Sequence, residues 1–178
     1  MQVEEAIEFI EPGINTGVIP QHWADLGCGD GTFTHALAHL LAPIGSVTAV
    51  DSLPQRLNRT AGNNVSIQFQ QSDINLDSFS LPKLDGILMA NSLHYIQQKE
   101  LLVNRMEPYF NTEKQFLIVE YESNTPNRWV PYPITFNNLS RLFESLGYID
   151  ITKVNERPSA FGGTLYAALI RSKVYEYS

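Results

Sequence analysis

The chain has 178 residues, of which 43% are hydrophobic and 17% charged, and its 12 Lys and Arg against 19 Asp and Glu give a formal net charge of -7. This length suits a single domain with a sizeable core, and the composition excludes a disordered tail, a collagen-like fibre and a coiled coil. The acidic balance disfavours nucleic acid and anionic membranes as general electrostatic partners.

The cellular compartment is predicted from cysteine usage and from the apolar runs. The single cysteine, Cys28, has no intrachain disulfide partner, which fits a reducing compartment. No apolar run approaches the roughly 20 residues that cross a bilayer. Residues Met1–Glu5 lack the basic-then-apolar order of a signal peptide. We therefore expect a cytoplasmic protein without a membrane partner, as a monomer or a homodimer.

Short apolar runs typical of strands alternate with segments whose apolar residues recur at helical spacing. Helix starts and stops are placed by capping residues, Pro and Gly. In chain order we predict helix Val3–Ile10, strand Trp23–Leu26, helix Phe33–Leu41, strand Ser46–Val50, a second crossover helix capped by Ser52 with Pro54 in its first turn, strands Val65–Gln70 and Leu84–Ala90, helix Leu102–Phe110, strand Gln115–Tyr121, helix Phe136–Leu146 between Thr135 and Gly147, and strands Tyr148–Val154 and Thr164–Ile170.

The order of these elements predicts a mixed sheet. Alternating strands and helices imply parallel strands joined by right-handed crossovers. The last two strands are separated by a Pro- and Gly-containing segment, so they should form an antiparallel hairpin. Ligands bind such sheets beyond the carboxyl ends of the strands. Polar residues follow the apolar runs at those ends, namely Asp25 with Gly27, Asp51, Asp73, Asn91 and Glu120.

A glycine-rich turn spans residues 25–31, Asp-Leu-Gly-Cys-Gly-Asp-Gly, between the first strand and the following helix. Glycines let a ligand approach the backbone closely, although a tight turn without a ligand is the alternative. Asp51 ends the next strand 20 residues after Gly31. A carboxylate at this place can accept hydrogen bonds from both hydroxyls of an adenosine ribose, or it is a solvated strand-end or helix-capping carboxylate.

The details of the turn disfavour a nicotinamide or flavin dinucleotide, and with it an oxidoreductase. That fingerprint is G-x-G-x-x-G, whereas this turn is G-x-G-x-G. Asp25 and Asp30 would repel a pyrophosphate but suit a cation. The G-x-x-x-x-G-K-[ST] loop of nucleotide triphosphatases is also absent from the sequence.

Nearly the whole chain resembles the class I S-adenosylmethionine-dependent methyltransferases of the small-molecule type. The resemblance rests on five segments in order, residues 25–31, 47–51, 71–74, 84–95 and 116–121. It implies an α/β fold, a three-layer Rossmann-like doubly wound seven-stranded mixed sheet with an antiparallel last strand. It also implies a single methyltransferase domain over 1–178, with an N-terminal helix and lead-in (1–20), a cofactor-binding half (21–121) and a substrate-side half with a C-terminal β-hairpin (122–178).

The resemblance further implies the cofactor site. A methyl group would pass from S-adenosyl-L-methionine to a small-molecule acceptor by in-line displacement, leaving S-adenosyl-L-homocysteine. Asp25 and the glycine backbone would surround the methionine part, Asp51 the ribose, and Asp73 the adenine amino group, unless Asp73 only caps its own turn. The predicted cofactor-binding residues are Asp25, Gly27, Cys28, Gly29, Asp51, Ser52, Leu53, Asp73, Ile74 and Asn91.

The acceptor side is less fully predicted. His94 is the candidate catalytic residue, as a base for a substrate hydroxyl, or it is a packed histidine. The candidate substrate-binding residues are Tyr95, Tyr121, Arg128 and Trp129, with a pocket wall or an exposed loop as the alternative. We predict no metal, because the histidines lack Cys or carboxylate neighbours at ligand spacing.

The sequence favours a small acceptor, and it leaves open how the acceptor site is closed and whether the protein is catalytic. The segment after the fourth strand lacks the Asn/Asp-Pro-Pro-Tyr/Phe pattern of enzymes that methylate planar amines of DNA or glutamine, which favours a small acceptor. Inserts between the strands are short, so the acceptor site is either open or closed by a second subunit. The competing functional hypothesis is a non-catalytic cofactor-binding or scaffold subunit of the same fold.

Overall fold

A computed structural model describes residues 1–76 and 80–172. Its strands are β1 (His22–Leu26), β2 (Ser46–Asp51), β3 (Ser66–Gln71), β4 (Gly86–Ala90), β5 (Gln115–Tyr121), β6 (Asp150–Pro158) and β7 (Thr164–Arg171). They form one seven-stranded sheet in the order β3-β2-β1-β4-β5-β7-β6. The first five strands pair in parallel, and β7 is antiparallel to both of its neighbours. The predicted mixed sheet with an antiparallel last strand is therefore confirmed.

Helices cover both faces of this sheet, which gives the three predicted layers. They are α1 (Val3–Ile10), α2 (Thr32–Leu40), α3 (Lys99–Met106) and α4 (Phe136–Ser145). The central strand β4 is apolar throughout because successive side chains point to opposite faces and both faces are covered. Ile87 and Met89 join the core under α3 and α4, whereas Leu88 and Ala90 join the core under α1 and α2.

The predicted second crossover helix, capped by Ser52, is wrong. Residues 52–59 contain no helix. At the end of this stretch the chain bonds to the free edge of β3, where Ile67 N donates to Arg59 O at 2.8 Å and Thr60 forms an antiparallel bridge with Ser66. This pairing satisfies backbone groups of residues 59 and 60 and covers part of the strand edge at the same time.

The predicted helix before the hairpin is confirmed by its ends. Thr135 Oγ1 accepts a hydrogen bond from Asn138 N at 3.3 Å at the start of α4. Gly147 follows the helix with φ at 87°, the left-handed conformation expected after a helix end. Within residues 1–76 and 80–172, no helix combines the length and the apolar character needed to span a bilayer.

Candidate functional site

A cleft of about 610 Å³ lies at the carboxyl ends of the parallel strands. It is the place that a doubly wound sheet offers to a ligand. All predicted cofactor-binding residues except Asp25 line it, namely Gly27, Cys28, Gly29, Asp51, Ser52, Leu53, Asp73, Ile74 and Asn91. The topology therefore brings four separate stretches of sequence together around one space.

The glycine turn forms the floor of the cleft and depends on two glycines for different reasons. Gly27 has φ at 79°, and a Cβ there would lie 2.4 Å from Ser92 Cβ, so the glycine permits a close approach of two loops. Gly29 has φ at 51°, and a Cβ there would meet no atom within 4 Å. The first glycine is required for packing, whereas the second leaves open space at the cleft.

Asp51 holds the turn in place from the end of β2. Its Oδ2 accepts a hydrogen bond from Gly29 N at 2.9 Å, and its Oδ1 accepts one from Leu53 N at 2.9 Å. A carboxylate oxygen has two lone-pair directions, so each oxygen keeps one for a ligand hydroxyl. Asp51 is half-buried and lines the cleft, which makes both remaining directions usable.

Asp25 lies beneath the turn and not on the cleft wall. The side chain is 1% exposed, and its Oδ2 accepts a hydrogen bond from Thr34 Oγ1 at 2.6 Å. Its Oδ1 is buried without a partner among the described residues. Burial raises the pKa of Asp25 to about 7, and Asp51 adds to the rise against the opposing hydrogen bond from Thr34.

This raised pKa predicts a specific dependence of stability on pH. Between pH values of about 4 and about 7, folded Asp25 holds a proton that the unfolded chain has released, so the free energy of unfolding falls as the pH rises. We expect the ligand-free wild type to lose more than about 1 kcal/mol of unfolding free energy, relative to Asp25→Asn, between pH 5 and pH 8. Urea unfolding at both pH values measures this, and parallel curves for the two proteins would contradict it.

Asp73 lies at the far end of the cleft, after β3. Its Oδ1 accepts hydrogen bonds from Asn75 N at 2.8 Å and from Asn75 Nδ2 at 3.1 Å. The turn-capping contact considered from the sequence therefore exists. Asp73 Oδ2 has no hydrogen-bond partner among the described residues, and Asp73 lines the cleft. Capping and ligand binding are thus compatible here.

Asn91 stands at the junction between this cleft and a second cavity of about 650 Å³. It follows β4 with φ at 54°, and its N donates to Val119 O at 2.8 Å. Its Oδ1 is buried and has no hydrogen-bond partner among the described residues. Tyr95 also lines both spaces, so the two cavities are contiguous.

The second cavity has aromatic walls. Tyr95, Tyr121 and Trp129 line it as predicted candidates, together with Phe161 from the β6–β7 turn. Arg128 does not line it, and its guanidinium lies 5.4 Å from the centre of the Trp129 ring. None of the described lining residues is Lys or Arg.

His94 also lines the second cavity and is paired with a buried carboxylate. Its Nδ1 lies 2.7 Å from Glu120 Oε2, and its backbone N donates to Glu120 Oε1 at 3.0 Å. Glu120 and Phe161 are the two functional candidates that the predicted site lacks. The position of Glu120 after an apolar run is visible in the sequence, but its contact with a histidine 26 residues away is not.

Among the described residues, neither a reactive thiol nor a metal-binding cluster is present. Burial raises the pKa of the Cys28 thiol, so it stays protonated and is a packing residue of the turn. Among residues 1–76 and 80–172, no group of three His, Cys, Asp or Glu side chains is placed to hold a metal ion.

Part of the sequence matches a family model, and the fold matches solved structures. Residues 24–107 match a family model described as "Methyltransferase domain". No curated protein matches the sequence. Among solved structures, the chain is similar to the 1,6-didemethyltoxoflavin-N1-methyltransferase of Burkholderia thailandensis, crystallised with 1,6-didemethyltoxoflavin and S-adenosylhomocysteine. The TM-score is 0.66 at 22% identity, over 86% of this chain and 72% of that one.

Two further structures widen the range of acceptors among these similar folds. An arsenic (III) S-adenosylmethionine methyltransferase of Chlamydomonas reinhardtii has a TM-score of 0.69 at 19% identity, over 98% of this chain and 74% of that one. The magnesium protoporphyrin IX methyltransferase of Synechocystis PCC 6803, with bound SAM, has a TM-score of 0.65 at 12% identity, over 96% and 78%. At these identities the likeness establishes the fold and leaves the acceptor open.

Proposed function

We propose that this chain is a class I S-adenosylmethionine-dependent methyltransferase that methylates a small organic acceptor, and the methyltransferase-domain match at residues 24–107 and the fold support this. The observation that carries the proposal is the contiguity of the two cavities at Asn91 and Tyr95. The first cavity has the features that the cofactor needs, and the second is an adjoining space with several aromatic side chains in its wall, which suits an acceptor.

The residues of the first cleft fit S-adenosylmethionine. Asn91 Oδ1, just after β4, is buried without a hydrogen-bond partner among the described residues and belongs to a residue that lines the cleft. The ammonium of the methionine part supplies a donor for this oxygen. Open space at Gly29 accepts a ligand against the backbone, and the free lone pairs of Asp51 suit the ribose hydroxyls. Asp73 Oδ2 suits the adenine amino group.

The charges of the cleft support a cationic ligand over a dinucleotide. Asp30, Asp51 and Asp73 line it. Carboxylates stabilise a nearby cation and repel a pyrophosphate. The bound cofactor supplies an electrophilic methyl group on a sulfonium. The protein's task is to hold the acceptor in line with that methyl, and positioning of this kind supplies a large part of a rate enhancement.

Calorimetric titration with S-adenosylhomocysteine tests the proposal. We expect saturable one-site binding that NADH does not compete away, and transfer of labelled methyl from S-adenosylmethionine to a small acceptor. If NADH bound in this cleft and S-adenosylhomocysteine did not, the cofactor assignment would be wrong. Tight binding without transfer across acceptors of varied chemistry would instead favour the non-catalytic scaffold. We place the enzyme in the cytoplasm, where a lone buried Cys28 stays reduced.

A further inference from the structure

The buried pair of His94 and Glu120 has no role in cofactor binding and lies at the acceptor cavity. Glu120 is 0% exposed, and a buried carboxylate is costly unless hydrogen bonds compensate it. Three N–H groups supply them: His94 N at 3.0 Å, His94 Nδ1 at 2.7 Å and Tyr121 N at 3.4 Å. The carboxylate is thus built into the end of β5 with the imidazole as its principal partner.

This contact determines which ring nitrogen can act. An ionised carboxylate only accepts hydrogen bonds, so His94 Nδ1 carries the proton in the neutral ring and Nε2 keeps a free lone pair. Nε2 has no hydrogen-bond partner within residues 1–76 and 80–172, and His94 lines the acceptor cavity. The arrangement therefore presents a proton acceptor to whatever occupies that cavity.

The walls of the cavity restrict the occupant. Tyr95, Tyr121, Trp129 and Phe161 offer flat apolar surfaces. The described lining contains the carboxylate Glu122 and no Lys or Arg, so an anionic group is disfavoured. Burial, and after it Glu120, raises the pKa of the Tyr121 hydroxyl, so this residue stays neutral. Aromatic rings pack well against planar molecules. A neutral planar compound with one removable proton fits both the walls and the base.

We propose that the acceptor is an aromatic hydroxyl compound, that His94 Nε2 takes its hydroxyl proton, and that Glu120 is the positioning residue that fixes the active tautomer. This inference rests on the proposed methyltransferase function. The hydroxyl oxygen forms the new bond to the methyl carbon, and the electron pair of the broken carbon–sulfur bond stays on sulfur. The hydroxyl proton moves to Nε2 and from there to solvent.

The variant Glu120→Gln isolates the positioning role. His94 N still needs an acceptor, so the glutamine oxygen faces it and the amide NH₂ group faces Nδ1. Nδ1 must then accept, which moves the ring proton to Nε2 and removes the base without removing a side chain. We expect ¹⁵N NMR of the ligand-free protein to show the Nδ1–H tautomer in the wild type and the Nε2–H tautomer in Glu120→Gln. A doubly protonated wild-type ring at pH 8, or the same tautomer in both proteins, would overturn the proposal.

Activity supplies the second readout, with 2-naphthol as the probe and a nitro-substituted 2-naphthol that is already ionised at pH 8 as its partner. General-base catalysis contributes about a hundredfold or more, so His94→Ala and Glu120→Gln should lose about that factor in kcat with 2-naphthol. With the ionised naphthol, which needs no base, we expect only a few-fold loss. Equal losses with both probes would mean that His94 has a structural role only.

Controls separate this inference from the function on which it rests. Glu156→Gln changes an exposed carboxylate on β6 that lines neither cavity, and it should behave as wild type. S-adenosylhomocysteine should bind all variants with unchanged affinity. If S-adenosylhomocysteine did not bind the wild type, the proposed function itself would be wrong. Binding with methylation of 2-naphthylamine or a saturated alcohol, but not of either naphthol, would overturn the acceptor class alone.

Discussion

Replacement of Asp51 by Ala is expected to weaken the binding of S-adenosylhomocysteine about a hundredfold or more. The carboxylate accepts hydrogen bonds from Gly29 N and Leu53 N, both at 2.9 Å, and each oxygen has a further lone pair for a ribose hydroxyl. Hydrogen bonds to charged groups contribute about 1.5–3 kcal/mol each, and every 1.4 kcal/mol corresponds to about a factor of ten in affinity. Loss of two such bonds therefore gives the expected factor before any change in the turn is counted.

Calorimetry on two further variants separates the causes. Asp51→Asn keeps one acceptor oxygen and should show an intermediate loss of affinity. Glu8→Ala removes an exposed carboxylate on α1 and should show none. Because Asp51 also anchors the turn, the stability of each variant must be measured by thermal unfolding. Unchanged affinity in a folded Asp51→Ala protein would remove this residue from the cofactor site.

The same substitution should mainly reduce stability at Gly27 and mainly reduce ligand affinity at Gly29. A left-handed conformation costs an L-residue about 1–2 kcal/mol. At Gly27 the added Cβ would also lie 2.4 Å from Ser92 Cβ, and Ser92 cannot easily move because its Oγ donates to Leu26 O at 2.6 Å. We expect Gly27→Ala to lower the free energy of unfolding by about 3 kcal/mol or more.

Gly29→Ala is the matched control for the fold and the probe for the site. Its Cβ would meet no atom within 4 Å, so only the conformational cost of about 1 kcal/mol applies. The added methyl nevertheless occupies space at the cleft, and S-adenosylhomocysteine affinity should fall about tenfold or more, as expected when a contact of about 1.4 kcal/mol is lost.

Urea unfolding and calorimetry on both glycine variants provide the measurement. Ser92→Gly added to Gly27→Ala should restore part of the lost stability, since it removes the atom that clashes. If Gly29→Ala bound the ligand as tightly as the wild type, the cofactor would not lie against the turn.

Much of the fold was accessible from the sequence because the patterns are local. Alternation of apolar runs, the cap at Thr135 and the stop at Gly147 predict elements that the structure contains. The same local reasoning fails after β2, where a capping residue and a proline predict a helix. Residues 52–59 form no helix, and Arg59 and Thr60 pair with the edge of β3 instead; no local pattern reveals that an edge will be available.

The sequence by itself determined the glycine turn, Asp51 and the strand-end polar residues, because each lies directly beside the element that positions it. Only the tertiary structure decided the burial of Asp25, the pairing of His94 with Glu120 and the arrival of Phe161 at the same cavity as Trp129. The physical reason is the pairing of strands. β4 and β5 are parallel neighbours, so residues that follow or end them meet at one edge although they are far apart in the chain. Chemistry at that edge depends on strand order, which is a property of the whole sheet.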